Sequence, residues 1–246
     1  MRQVCLVVPC YNEERRLRGD RIREFLASHG EVSVCLVNDG STDGTGRVLE
    51  SLKTSIPDRM LVVGLDRNSG KAEAVRQGAL HASALNRFGC IGYWDADLST
   101  PLDELDHLLA ALDLSPEHRL ALGSRVKRLG SHIDRRAPRH YLGRIFSTLS
   151  SQLLDLAVYD SQCGAKVFRS DVTGVLFADP FVTRWLFDLE ILVRLRNHLG
   201  AERFLKSAVE VPLTEWQEVG GSKLKLAHMA RVPLELIRIR KRYISR

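Results

Sequence analysis

Two carboxylates, Asp95 and Asp97, stand one residue apart in the stretch GYWDADLSTP (92–101), directly after a short apolar run. In an extended segment, side chains at i and i+2 share a face, so the two acids would point the same way and repel each other. A hard divalent cation, Mg2+ or Mn2+, shared with the phosphate oxygens of a substrate would relieve that repulsion. A solvated loop would tolerate the same acids with no chemistry at all. Ser99 could add an oxygen to the set, directly or through water. Asp39 closes another apolar run, in VNDGSTDGT (37–45), where a carboxylate can accept hydrogen bonds from a base or ribose. The glycines and hydroxyls around it would by themselves make only a turn and a helix cap. Gly70-Lys71 opens a helical pattern, where backbone N–H groups and an ammonium could meet an anion. Neither GxxxxGK[ST] nor GxGxxG occurs, so this is no Walker or dinucleotide loop.

The elements that must hold these residues can be read from periodicity. Segments 3–9, 32–38, 60–65, 90–94 and 120–124 read as strands, and 12–28, 43–54, 70–87 and 102–113 carry apolar residues at helical spacing. This alternation predicts an α/β fold with a mostly parallel, doubly wound sheet and helices on both faces. Such sheets bind ligands beyond the carboxyl ends of their strands. Pro9-Tyr11-Asn12-Glu13, Asn38–Ser41, Asn68–Lys71 and Asp95-Ala96-Asp97 all fall there.

Beyond Ser124 the pattern changes. Residues 125–144 are basic, with Arg125, Lys127, Arg128, Arg135, Arg136, Arg139 and Arg144, interleaved with Tyr141 and Leu142. Such a stretch is either a solvated face or a grip on an anionic acceptor or membrane surface, and its place beside the inferred site favours the grip. Helices are expected over 141–158 and 184–198, a strand over 207–212, a loop over 213–223 and a basic amphipathic helix over 225–244. That last helix could pack on the core or lie in a bilayer interface. The expected organisation is one domain over 1–246: a half carrying the strand-end clusters (1–124), a half that completes and closes the site (125–224), and the terminal helix (225–246).

Composition fits this outline. The 246 residues are 44 % hydrophobic and 27 % charged, with a net charge of +6, so there is material for a sizeable core and a bias toward anionic partners. The five cysteines are odd in number and lack a CxxC, which suggests neither a disulfide framework nor a zinc site and fits a reducing cytoplasm. No leader precedes the first strand and no window reaches the roughly 18 apolar residues of a membrane span. The expected location is cytoplasmic, with room for peripheral contact on the inner face of a membrane.

Taken together, the motifs resemble the family 2 glycosyltransferases of GT-A fold, and most of all the branch making polyprenyl-phosphate (dolichyl-phosphate) glucose or mannose. The resemblance rests on VVPCYNEE, VNDGSTDGT, NSGKAEAVRQG, WDADLSTP, LGSRV, YDSQCGAKVFR, WLFDLEIL and VEVPLTEWQEVGGSKL, in that order over residues 4–224. It implies that Pro9, Tyr11, Glu13 and Asp39 hold base and ribose, with Lys71 nearby. Asp95 and Asp97, with Ala96 between them, would hold Mg2+ or Mn2+ and the donor diphosphate. Arg125 and Lys223 would contact phosphate groups, with Ser222-Lys223 on a closing loop, and Asp188 and Glu190 match an acidic pair. The signature QxxRW of chain-polymerising relatives is absent.

The implied reaction is inverting transfer of a hexose from a nucleotide sugar, UDP-glucose before GDP-mannose, to a polyprenyl phosphate or other anionic acceptor. A phosphate monoester, with a second pKa of about 6, carries its own anionic nucleophile at neutral pH. A hydroxyl acceptor would need a general base, for which Asp188 or Glu190 is available. A non-catalytic anion-binding module is the remaining alternative, and no nucleic-acid partner is expected.

Overall fold

The computed structural model describes residues 3–134, 148, 150–219 and 232–244. A central sheet runs β3-β2-β1-β4-β7-β5-β8. Its strands are β1 (Val4–Cys10), β2 (Val32–Asp39), β3 (Met60–Leu65), β4 (Cys90–Trp94), β5 (Leu120–Ser124), β7 (Ala165–Arg169) and β8 (Ala208–Pro212). Strands β1 to β4 pair in parallel, as β5 does with β8, whereas β7 lies antiparallel between β4 and β5. The sequence pattern does not predict β7, because Lys166 interrupts its short apolar run.

Both faces of the sheet are covered, which is why these strands read as continuous apolar runs rather than alternating ones. On one face Cys5, Val7, Cys35, Val37, Ile91 and Tyr93 pack with helices α3 (Lys71–Ala84) and α6 (Phe187–Leu199). On the other, Leu6, Val8, Val34, Leu36, Cys90 and Trp94 pack with α1 (Gly19–Ser28), α2 (Thr45–Ser55) and α4 (Glu104–Asp113). Helix α3 approaches the sheet closely: a Cβ at Gly78 would lie 2.4 Å from a Val7 methyl. Each aliphatic side chain buried this way contributes about 1.5–3 kcal/mol.

The predicted elements shift in three places. Helix α1 starts at Gly19 rather than residue 12, because Glu13 turns the chain back by accepting N–H bonds from Arg16 and Leu17 at its carbonyl. The helix expected over 141–158 falls partly outside the described residues; residues 150–154 are helical, and the chain leaves the helix at Asp155 with φ +52°. The expected loop after residue 212 holds a strand, β9 (Glu215–Gln217), parallel to β6 (His132–Asp134).

A 3-10 turn (Ser170–Val172) and the short helices α5 (Thr173–Phe177) and α7 (Ala201–Ser207) fill the connections around α6. Helix α8 (Val232–Tyr243) answers the question left open for the C-terminal segment: it packs on the core. Leu236 and Ile239 are fully buried against α6, and the Tyr243 hydroxyl lies within hydrogen-bonding distance of both Arg194 and Glu190. Leu234 and Ile237 remain exposed. Among the described residues no helix is long and apolar enough to cross a membrane. All five cysteines are free thiols and buried.

Candidate active site

The polar clusters meet at the carboxyl edge of β1, β2 and β4, tied together by backbone-to-side-chain bonds. The Asn12 N–H donates to Ser41 Oγ (3.1 Å), the Thr42 N–H to Asn12 Oδ1 (2.9 Å), and the Glu13 N–H to Thr45 Oγ1 (2.8 Å). These bonds zip the loop after β1 to the loop after β2. Pro9 and Tyr11 are half-buried along that seam and Glu13 is buried.

Asp39 is buried at the end of β2, where Oδ1 accepts from the Ser69 N–H (2.7 Å) and Oδ2 from the Gly70 N–H (2.9 Å). Burial raises its pKa, and these two N–H bonds offset part of that rise. Asp39 therefore fixes the loop that launches α3, a role the sequence does not announce; each oxygen keeps a second lone pair for a ligand. The close approach depends on Gly40. Its φ is +59°, and a Cβ there would lie 2.2 Å from the Arg67 carbonyl carbon.

The launch point sets Lys71, the first residue of α3. Its Nζ lies 2.5 Å from Asp95 Oδ1 and over the rings of Phe187 (5.6 Å) and Tyr93 (6.0 Å). Burial works against the ammonium, but Asp95 foremost, with Asp188 and Asp97, outweighs it and raises the pKa. The positive charge that the paired acids call for is thus present in the chain itself. Lys71, expected near the base and ribose, follows directly on Gly70, which Asp39 holds, and its ammonium reaches the acidic turn.

That turn corrects the geometry expected of the acids. Residues 95–98 are not extended: the Leu98 N–H returns to the Asp95 carbonyl (3.0 Å), Leu98 has φ +50°, and Asp97 Oδ1 accepts from the Ser99 N–H (3.0 Å). The i, i+2 argument therefore does not apply; both carboxylates act on Lys71 because the chain turns. Ala96 has its side chain in the apolar cluster beneath, so it supports the turn and offers a ligand only backbone. Behind Asp95 lies Gly164, whose carbonyl accepts the Asp95 N–H (3.0 Å) and where a Cβ would fall 1.9 Å from Asp95 Oδ2.

Asp188 and Glu190 face inward. Asp188 is buried and its Oδ1 accepts from Lys166 Nζ (2.6 Å) and from the Tyr93 hydroxyl. Lys166, fully buried on β7, also donates to the Cys163 carbonyl (2.7 Å). Burial, and then the Asp188 charge, pushes the Tyr93 phenol up. Glu190 accepts from the N–H groups of Val182 (2.9 Å) and Thr183 (2.7 Å) and from the Thr183 hydroxyl. These partners tie both acids into the fold, and the Asp188 charge also reaches Lys71 beside the acidic turn. Lys166 is a site-supporting residue that sequence reasoning missed; a charged residue inside an otherwise buried strand was the available signal.

Arg125 follows β5. Its Nε and Nη2 donate in parallel to Asp160 (2.7 Å each), with the guanidinium over the Trp216 ring at 5.4 Å. Although burial opposes the charge, Asp160 raises its pKa further, and Asp95 contributes in the same sense. Trp216 belongs to β9, which is held to α4 by Glu104, whose Oε1 accepts from the N–H groups of Thr214 (2.9 Å) and Glu215 (2.8 Å). The Gln217 N–H donates to the Ser99 carbonyl (2.9 Å), tying the same segment to the acidic turn. Ser222 and Lys223, together with Arg135, Arg136, Arg139, Tyr141, Leu142 and Arg144, lie outside the described residues. Among the described residues no three His, Cys, Asp or Glu side chains gather as a self-sufficient metal cage.

The comparisons with known proteins can be set against this geometry. The family model described as glycosyl transferase family 2 matches residues 5–177. A dolichyl-phosphate beta-glucosyltransferase of Trichomonas vaginalis is 31 % identical over 245 residues, covering 95 % of this chain and 69 % of that protein. The proteins of the same name from Drosophila melanogaster (32 % over 243 residues, 90 % and 69 %) and Homo sapiens (30 % over 264 residues, 99 % and 76 %) are similar to comparable degrees. Among solved structures, glucosyl-3-phosphoglycerate synthase from Mycobacterium tuberculosis with Mn2+, UDP and glucosyl-3-phosphoglycerate superposes with a TM-score of 0.69 at 17 % identity, over 98 % of this chain and 80 % of that one. The same enzyme with Mg2+ and UDP gives 0.68 at 17 % identity, over 98 % and 79 %. These likenesses establish the GT-A fold.

Proposed function

The chain belongs to glycosyl transferase family 2, and from that footing we propose the reaction it performs: inverting transfer of glucose from UDP-glucose to a polyprenyl (dolichyl) phosphate. The relatives' shared name supports both sugar and acceptor. The observation that carries the choice of a phosphate over a hydroxyl acceptor is the inward burial of Asp188 and Glu190. With both acids engaged by their own fold, an acceptor that brings its own anionic oxygen suits the site better than one needing a base.

In this reading Pro9, Tyr11, Glu13 and Asp39 line the base and ribose pocket between the zipped loops. Asp95 and Asp97 fit a divalent cation of the Mg2+ or Mn2+ kind: two carboxylates on a tight turn suit an ion that completes its shell with substrate phosphate and water. When bound, that ion supplies Lewis-acid stabilisation of the charge growing on the leaving diphosphate. Lys71 holds Asp95 in place and adds fixed positive charge beside the departing group. Arg125 receives the acceptor phosphate, and Lys223 contacts a donor phosphate group, as the family resemblance implies. Attack by the acceptor oxygen on the anomeric carbon and loss of the nucleoside diphosphate from the opposite side invert the configuration.

The acceptor's lipid tail implies work at a membrane surface. Helix α8 turns Leu234, Ile237, Arg238 and Lys241 outward at i, i+3, i+4 and i+7 spacing, an apolar and basic face suited to anionic headgroups.

Donor choice is tested by thermal stabilisation with UDP-glucose, UDP, GDP-mannose and GDP, each with and without Mn2+. Stabilisation by UDP-glucose that requires Mn2+ and vanishes in Asp97→Asn is expected. Selective stabilisation by GDP-mannose would overturn the donor, and equal stabilisation of Asp97→Asn would overturn the metal role of the turn.

A further inference from the structure

We infer that Asp160 is a positioning residue for acceptor recognition: it clamps one edge of the Arg125 guanidinium and so aims the remaining edge at the incoming phosphate. This rests on the reading that Arg125 receives that phosphate.

A guanidinium carries five N–H donors and can present more than one edge to an anion. In this structure the edge formed by Nε and Nη2 is taken by both oxygens of Asp160 at 2.7 Å, and the Arg125 N–H donates to the same carboxylate at 3.0 Å. The Trp216 ring covers one face of the fork at 5.4 Å. The edge formed by Nη1 and the second Nη2 hydrogen therefore keeps the geometry to receive two phosphate oxygens. A free arginine would have to give up rotamer freedom to present that edge, whereas a clamped one has lost it on folding.

The clamp is itself held. Asp160 and its neighbour Tyr159 donate their backbone N–H groups to the two oxygens of Glu210 on β8, at 2.8 and 2.7 Å. β8 pairs in parallel with β5, the strand that delivers Arg125. Three elements thus converge on one side chain: β5 brings the guanidinium, the 159–160 segment brings the carboxylate, and β8 fixes that segment. The carboxylate and guanidinium side chains are only 9 % and 14 % exposed, so the pair is not a solvated surface bridge. A residue needed only to neutralise Arg125 would not require two parallel bonds, a backbone bond and a second acid behind it.

The test is steady-state kinetics with a short-chain polyprenyl monophosphate, in wild type, Asp160→Asn, Glu210→Gln and Arg125→Gln. Asparagine keeps the shape and one acceptor oxygen but cannot receive both N–H groups. Its acceptor KM should rise about tenfold, in line with loss of a charge-assisted bidentate contact, while the donor KM stays near wild type. Glu210→Gln, which leaves the Asp160 carboxylate in place and loosens only its backbone, should raise the acceptor KM by a smaller factor. It carries the test if Asp160→Asn does not fold. An unchanged or lowered acceptor KM in these variants, with a raised one in Arg125→Gln, would overturn the positioning role and make Asp160 a competitor for Arg125. An unchanged acceptor KM in Arg125→Gln would instead overturn the assignment of Arg125 itself.

Discussion

An ammonium 2.5 Å from Asp95 and a second, fully buried one 2.6 Å from Asp188 lie 6.0 and 5.3 Å from the Tyr93 ring centroid. The two lysines do different work. Lys71 is partly exposed and stands beside the acidic turn, where its charge can act on a ligand. Lys166 is sealed in the sheet, where it ties Asp188 on α6 to the Cys163 carbonyl, one residue before the glycine that backs Asp95. Removing one member of such a buried pair strands the other charge, at a cost of about 3–5 kcal/mol. Lys166→Met should lose that much stability in urea denaturation, and the double variant Lys166→Met with Asp188→Leu should recover most of it. A double variant as unstable as the sum of the singles would show that the pair acts through its separate contacts rather than as a unit. At this scale the sequence is informative about which residues matter and less so about what they touch. The pairing of Asp95 with Lys71 joins two motifs far apart in the chain, and no spacing rule connects them. Asp160 and Lys166 were visible only as letters of a shared motif, because their charged partners, Arg125 and Asp188, come from other elements.

At the scale of elements, periodicity reveals the parallel strands β1 to β5 and β8 and the helices between them, since each is long or apolar enough to declare its period. It misses β7, where a lysine in the middle reads as solvent-facing until Asp188 and Tyr93 are seen to bury it. It misses the turn at Asp95, which follows a strand so directly that the acids read as its continuation. The segment carrying β9 reads as a loop because its regular structure depends on partners elsewhere. Glu104 is the chief of these. Burial works against its charge, but His107, the Thr214 hydroxyl and the N–H groups of Glu215 and Thr214 outweigh burial and hold its pKa below the ordinary 4.5. A depressed carboxyl pKa contributes stability that is present above the unfolded value and is lost as pH falls through the folded one. Thermal stability should therefore fall as pH drops below 4.5, and Glu104→Gln should be less stable at neutral pH by about 1–3 kcal/mol with a flatter acid limb. An acid limb identical to wild type would contradict the clamp. Helix α8 makes a second element-scale prediction. Leu236→Ala, in the buried face, should cost about 2–5 kcal/mol of stability. Leu234→Ser with Ile237→Ser, on the exposed face, should leave stability nearly unchanged yet reduce sedimentation with anionic phospholipid vesicles. Retained sedimentation would remove α8 from the membrane surface.

For the molecule as a whole, the proposed donor site lies at one edge of β1, β2 and β4, while β5, β8 and β9 hold Arg125, Asp160 and Trp216, the proposed acceptor side. The antiparallel β7 joins these halves: Gly164, just before it, backs Asp95, and the segment leading to it carries Asp160. In that proposal both substrates are recognised from one sheet. A sequence met alone shows the strand-end clusters before Ser124 and Arg125, Asp160 and Trp216 after it. What it conceals is that β7 crosses back between them. The central claim is that glucose passes to a lipid phosphate and not to a hydroxyl. It is tested most directly by incubating the purified protein and Mn2+ with radiolabelled UDP-glucose and either polyprenyl phosphate or the matching polyprenol, then counting label in the organic phase. Label entering the phosphate alone, in a mild-acid-labile product, is the predicted result; label entering the polyprenol, with the phosphate left unglucosylated, would contradict it.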